Sequence, residues 1–162
     1  MTARAGLNHV GVRVDDLDAA IRFYAKGFGL ERIPAPSFGG PVVWLRAGSL
    51  QLHLTETDTA QPSPGHFALE VDDFGAVYRW AKSTGVLSRA ADGTAVYELP
   101  GGECQLYVHD PAGNVVEVCH RDAGRWRGQI PEMVRLADLH PQNVDADRAT
   151  LFLDRRGPAT RT

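Results

Sequence analysis

Four side chains that can hold a metal ion stand in segments that alternate like strands. His9 lies in LNHVGVRV, His53 in LQLHLTE, His66 in GHFALEV and Glu117 in NVVEVCH. Imidazole nitrogen and carboxylate oxygen together suit Zn²⁺, Ni²⁺, Co²⁺, Mn²⁺ or Fe²⁺, and no thiolate is needed. A His-His-Glu set with open positions is also the donor type of non-haem Fe(II) oxygenases. His53 and Glu117 each interrupt an apolar pattern, between Leu52 and Leu54 and between Val116 and Val118. An ionised carboxylate buried in a sheet is costly without a partner. A divalent metal ion shared with the histidines would compensate it.

The elements that must position these residues are written twice. NHVGVRVDDLDAAIRFYAKGFGL recurs as HFALEVDDFGAVYRWAKSTGV at an offset of 57 residues, so that His9 falls on His66, Val14 on Val71 and Asp15-Asp16 on Asp72-Asp73. In each copy a strand places apolar residues on one face, Val10, Val12 and Val14 or Phe67, Leu69 and Val71, with the histidine on the other. Asp16 and Asp73 are placed to cap a following helix. Leu17, Ala20, Ile21 and Tyr24, then Phe74, Val77, Tyr78 and Ala81, give the helical apolar stripe. Gly29 and Gly85 mark the exits.

Further strands are expected near 31–33, 42–46 and 50–55 in the first copy, with SFGGP as a turn, and near 86–91, 103–109 and 114–119 in the second. DPAGN reads as the turn between the last two. TAVYELP is a short strand or a loop, and TDTAQPSPG (57–65) is a polar connector. Two such units side by side can curve their exposed sheet faces around one concavity, with His9 and His66 on opposite sides.

The bulk properties close off other classes. At 162 residues and 43% hydrophobic, the chain is expected to form one ordinary domain with a real core. A net charge of −3 gives no general attraction to nucleic acid or an anionic membrane. Arg148, Arg155, Arg156 and Arg161 read as a solvated tail. No apolar run approaches a bilayer span, and MTARAGLNHV lacks the apolar centre of a signal peptide. Cys104 and Cys119 are too few for a disulfide framework, and reduced thiols fit a cytoplasmic location.

At these residues the chain resembles the vicinal oxygen chelate superfamily, also called the glyoxalase/bleomycin-resistance/dioxygenase group. The matching segments LNHVGVRVDDLDAAIRFYAKGFGLE, LQLHLTE, GHFALEVDD and LYVHDPAGNVVEV span most of residues 7–119. The resemblance implies an α+β fold of two tandem βαβββ modules, about 7–56 and 65–120, forming a curved mixed sheet around a metal pocket. The domain would cover 1–121, with 122–162 as an extension packed on it or on a partner subunit. Ligands are implied on the first and last strands of each module, here His9, His53, His66 and Glu117. Glyoxalase I usually has glutamate, and methylmalonyl-CoA epimerase glutamine, where His53 stands. Gln51 lies on the same face and is the alternative ligand.

The activity implied is that of a metal-dependent lyase or isomerase acting through a metal-stabilised oxyanion on a small oxygenated substrate, with Glu117 as the remaining catalytic carboxylate. A single-domain Fe(II) extradiol-type dioxygenase, which needs only His9, His66 and Glu117, is the rival. A bleomycin-resistance-type binding protein without turnover is the third reading, and the retained donors argue against it. A homodimer is implied as well. Arg13 and Tyr107 share the inward parity and are candidates for substrate contact, against rim pairing and packing. Glu70 is placed with Arg13. Cys119 is expected as an inert buried thiol, His109 and His120 as structural or exposed, and Trp44 and Trp80 as packing residues. In the extension, 130–139 is expected as a short amphipathic helix carrying Met133, Leu136 and Leu139, and ATLFL (149–153) as a short strand.

Overall fold

The computed structural model describes residues 7–37, 40–58 and 65–152. Strand β1 (His9–Val14) turns Val12 and Val14 into the core and leaves His9, Gly11 and Arg13 exposed. It stops at the aspartate pair. The Asp16 carboxylate accepts from the Ala19 amide at 2.8 Å and starts α1 (Leu17–Phe28). Glu56 adds a second acceptor, its Oε2 lying 2.9 Å from the Leu17 amide. Both carboxylates satisfy first-turn amides that have no partner within the helix, at its positive end. Gly29 closes α1 at φ 67°, a left-handed conformation that costs a residue without Cβ little. Strands β2 (Glu31–Ile33), β3 (Val42–Ala47) and β4 (Leu50–Glu56) complete the first module.

The second module repeats the plan. Strand β5 (His66–Glu70) leads to α2 (Phe74–Thr84), capped by Asp73 on the Ala76 amide at 2.8 Å and closed by Gly85 at φ 76°. Strands β6 (Val96–Glu98), β7 (Cys104–His109) and β8 (Val115–His120) follow. The expected mixed sheet is divided between the modules, ordered β1-β4-β3-β2 in one and β5-β8-β7-β6-β9 in the other. In each, the first strand runs parallel to the last, and the remaining pairs within the module are antiparallel.

Where a strand was expected at 86–91, the chain makes only a bridge, Leu87 to Val108. The rest of the space beside β7 goes to β6, with Val96 opposite Leu106 and Glu98 opposite Cys104. A turn at 90–94 separates the two pieces, closed by the Ala90 amide on the Thr94 carbonyl at 2.8 Å. TAVYELP is therefore the strand. The extension also departs from expectation. Met133–Arg135 form β9, parallel to β6, and helix α3 is confined to Leu136–Leu139 with no buried residue. Pairing with the β6 edge captures backbone that a longer helix would have used. Residues 149–152 form no strand. Residues 38 and 39 of the SFGGP turn, 59–64 of the connector, Leu153 and the arginines beyond it lie outside the described residues.

One core runs through both modules. Phe23 and Phe28 of α1 meet Trp80 of α2 at ring-centroid separations of 5.3 and 5.7 Å, so Trp80 is the packing residue expected. Gly27 permits that approach, since a Cβ there would lie 2.4 Å from the indole. The DPAGN turn is a second seam. Asp110 Oδ2 accepts from the Tyr24 hydroxyl at 3.0 Å, and the Asn114 carboxamide donates to the Arg13 carbonyl at 2.9 Å. Asp110 and Asn114 are both buried and bonded to each other, which is how such groups are tolerated inside. No helix among the described residues is long and apolar enough to cross a membrane.

Candidate functional site

Register across the strands sets the site. On the outward face of the first sheet, Gly11 of β1, His53 of β4 and Trp44 of β3 lie in one row. On the second sheet the equivalent row is Ala68 of β5, Glu117 of β8 and Tyr107 of β7. His9 and His66 stand two residues before the small residue of each row. Each module thus presents a small residue, a potential ligand and an aromatic ring side by side, with a histidine at one corner.

The four donors come together as two pairs. His9 stacks on His53 with ring centroids 4.2 Å apart and planes 16° apart. Trp44 stacks on His53 at 4.2 Å and 4°. Because β4 lies between β1 and β3, the two neighbours cover opposite faces of the His53 imidazole. Its Nε2 meets Gln51 Oε1 at 2.8 Å, and His9 Nδ1 meets Asn8 Oδ1 at 3.0 Å. Burial, and after it the charge of His9, hold His53 below the ordinary imidazole range.

In the second pair, His66 Nε2 lies 3.1 Å from Glu117 Oε2. Glu117 is only 5% exposed, whereas His66 is exposed at the sheet edge. The His66 ring meets Tyr107 edge-on at 5.5 Å. Burial, followed by the charge of Glu117 and a hydrogen bond to it, pushes the Tyr107 phenol up to about 12, so it is a neutral donor at physiological pH. Gln105 Nε2 donates to the same hydroxyl at 3.0 Å. Tyr107 accordingly points at the site rather than into the core.

The remaining candidates divide. Arg13 is exposed on the His9 face of β1, and Glu70 is paired with Arg121. Burial pushes the Cys119 thiol up to about 12, with Glu117 adding to it, and does the same for Cys104, so both stay protonated and unreactive. His109 meets Ser88 and His120 packs edge-on to Trp126, as structural residues do. Trp44, read from the sequence as packing, instead covers a candidate ligand. Its place opposite His53 was available only from strand register.

The donor types suit a divalent cation of the zinc or iron group, and His66 and Glu117 turn donor atoms towards each other, but the His9 and His53 rings stack nearly parallel, so their in-plane lone pairs do not converge on one point. Among the described residues no group of three or more His, Cys, Asp or Glu side chains is gathered closely enough to hold a metal. A cleft of about 910 Å³ takes walls from both modules, including Val10, Leu50 and Gln51 on one side and His66, Leu69 and Glu70 on the other. Volume of that order accommodates a small-molecule substrate.

Tandem βαβββ modules, each with a histidine on its terminal strand and a second donor, His53 or Glu117, on the strand beside it, define the class of fold, and comparison gives the class its family. The model of the Glyoxalase/Bleomycin resistance protein/Dioxygenase superfamily matches residues 6–118, and the chain belongs to that superfamily. Glyoxylase I 4 of Arabidopsis thaliana is 26% identical over 141 residues, 80% of this chain and 78% of the relative. The crystal structure of lactoylglutathione lyase from Agrobacterium tumefaciens superposes with a TM-score of 0.55 at 26% identity, covering 78% of this chain and 99% of the other. The fosfomycin resistance protein FosX of Listeria monocytogenes shares the fold, with a TM-score of 0.60 at 19% identity over 78% of this chain and 98% of its own.

Proposed function

We propose that this chain is a metal-dependent enzyme of the glyoxalase type, a lyase or isomerase that moves a proton on a small oxygenated substrate. The observation that carries the reading is the buried Glu117 carboxylate facing His66 Nε2 at 3.1 Å, with a neutral Tyr107 phenol beside it. The likeness to Glyoxylase I 4 and to lactoylglutathione lyase supports the same class of reaction. His9, His53, His66 and Glu117 would hold the ion, His9 and His53 together only once their stacked rings turn apart. Once bound, such an ion supplies Lewis acidity towards a developing oxyanion. Glu117 is the group placed to take up and return the substrate proton, His66 is within reach of the same oxygen, and Tyr107 donates to the carboxylate. Of the four candidate ligands, His66 alone lines the cleft between the modules.

Each pair brings two donors, so a full set needs both pairs. We assign their meeting to a homodimer in which His9 and His53 of one chain face His66 and Glu117 of the other. Metal analysis and light scattering on the purified protein test the two halves of this statement. Metal-loaded dimers are expected, and loss of metal in His66→Ala and Glu117→Ala. Mixing a His9→Ala/His53→Ala chain with a His66→Ala/Glu117→Ala chain then decides where the site lies. Random exchange should restore about a quarter of the wild-type sites, because each mixed dimer rebuilds one intact set. No recovery would reject the shared site, and a protein that takes up no metal would reject the enzyme class. Oxygen uptake with catechols would move the reaction to the dioxygenase branch.

A further inference from the structure

The outward faces of the two sheets differ in cover. On the first, Val42, Trp44, His53 and Thr55 line an open hollow of about 350 Å³ whose far rim is Gly40 and Pro41. The matching ground on the second is Gln105, Tyr107, Glu117 and Cys119. There Glu117 and Cys119 are each 5% exposed, whereas His53 is half-buried and Thr55 exposed. At the far rim, Glu103 just before β7 and Arg121 just after β8 continue the same face, one step past the Cys104–His120 pair.

Residues 149–152 of the extension cross that rim. The Leu151 amide donates to Glu103 Oε1 at 3.3 Å, and the Phe152 ring centroid lies 4.1 Å from the Arg121 guanidinium, which is also paired with Glu70. The seat is incompletely satisfied. Glu103 is buried, and its Oε2 has no hydrogen-bond partner. That oxygen and the Ala149 carbonyl oxygen lie 2.6 and 2.5 Å from where a Cβ on Gly101 would stand, so two acceptors crowd one glycine. A buried acceptor left unpaired costs as much as a typical hydrogen bond returns, or more, so closure is only weakly favoured.

We infer that residues 149–152 are a strap that closes the far end of the Glu117 face and opens by leaving its seat on Glu103 and Arg121, so that the extension sets the length of ligand this face admits. Arg121 stands four residues beyond Glu117, about 13 Å along the strand, and that is the span left to the ligand. The inference rests on the Glu117 reading for its purpose. The contacts of the strap need no metal.

Cys119, on the floor between Glu117 and the strap, is the reporter. Its alkylation by iodoacetamide and by the bulkier fluorescein maleimide is followed by mass spectrometry at one fixed pH. The parent should react slowly and favour the small reagent. Gly101→Ala adds a Cβ against Ala149 at a position whose backbone is not left-handed, and Phe152→Ala removes the ring from Arg121. Each should speed both reactions by about 5- to 10-fold and narrow the preference. Glu103→Gln should slow them, because a carboxamide keeps an acceptor for Leu151 and offers a donor to Ala149. Cys104, buried on the opposite face, should stay unlabelled throughout, which with unchanged thermal melting separates release of the strap from loss of fold.

The inference is overturned if Gly101→Ala and Phe152→Ala leave Cys119 as slow as in the parent, if Glu103→Gln speeds its reaction, or if Cys104 is labelled alongside it. A parent protein that shows the expected labelling pattern but binds no metal would reject the enzyme reading alone and leave the strap in place.

Discussion

Two residues with almost no side chain decide how much room the candidate ligands have. Gly11 faces His53 across β1 and β4, and Ala68 faces Glu117 across β5 and β8. A Cβ built on Gly11 meets nothing within 4 Å, and its backbone is not in the left-handed region. Gly11→Val should therefore fold normally, within about 0.5 kcal/mol of the parent in urea unfolding, because it adds a strand-favouring residue at an exposed position. The added methyl groups would stand directly beside His53. Zn²⁺ affinity should fall while the melting curve stays put. An unchanged affinity would show that the space above Gly11 has no part in the site. His9 and His66 were legible as a pair because the repeat is written in the sequence. The equivalence of Trp44 and Tyr107 was not, because Trp44 stands nine positions before His53 and Tyr107 ten positions before Glu117. Hairpins of different length shift the aromatic by one place and hide it from superposition.

Among the elements, the β7–β8 turn and helix α2 each carry an electrostatic fastening. Asp110 gathers the Tyr24 hydroxyl, the Asn114 carboxamide and the amides of Ala112 and Asn114 at 2.8–3.0 Å. Burial, and then Asp110, raise the Tyr24 phenol far above its usual range, so it remains a donor. Asp110→Ala should cost about 3 kcal/mol in urea denaturation, since it strands several buried donors at once, and Asp110→Asn, which keeps an acceptor for Tyr24, should cost less. On α2, Tyr78 and Lys82 join Arg89 around Glu132 of the extension. The Tyr78 hydrogen bond, with Lys82 and Arg89 behind it, holds the Glu132 carboxyl down to about 2 from 4.5. A folded value below the unfolded one means the stabilisation is complete above about 4.5 and disappears as pH falls through about 2. Urea midpoints of the parent and of Glu132→Gln should differ at neutral pH and converge across that acid window. A constant difference would remove Glu132 from the account. The helices were readable because their caps and stripes are local. The fate of 86–98 was not, because which of two short apolar pieces lies along β7 depends on the turn at 90–94 and on β9 arriving from the far side.

At the scale of the whole molecule, the extension is part of the fold as far as β9. Trp126 and Ile130 are buried with the second module, and Trp126 lies against Gly75, where a Cβ would come within 2.7 Å of the indole. The sequence displayed the duplicated modules but not the division into two sheets, because that division depends on which strand edges meet. Those edges differ in kind. The outer ones, β2 and β9, are three residues long, while β1 and β5, terminal on the other side of their sheets, run six and five and carry His9 and His66. Short outer strands offer little backbone to an incoming chain, and longer ones offer a template. The two ribbons of peptide that carry His9 and His66 therefore also hold the longest terminal backbone of each sheet, where a stray extended segment would find its most inviting amides and carbonyls.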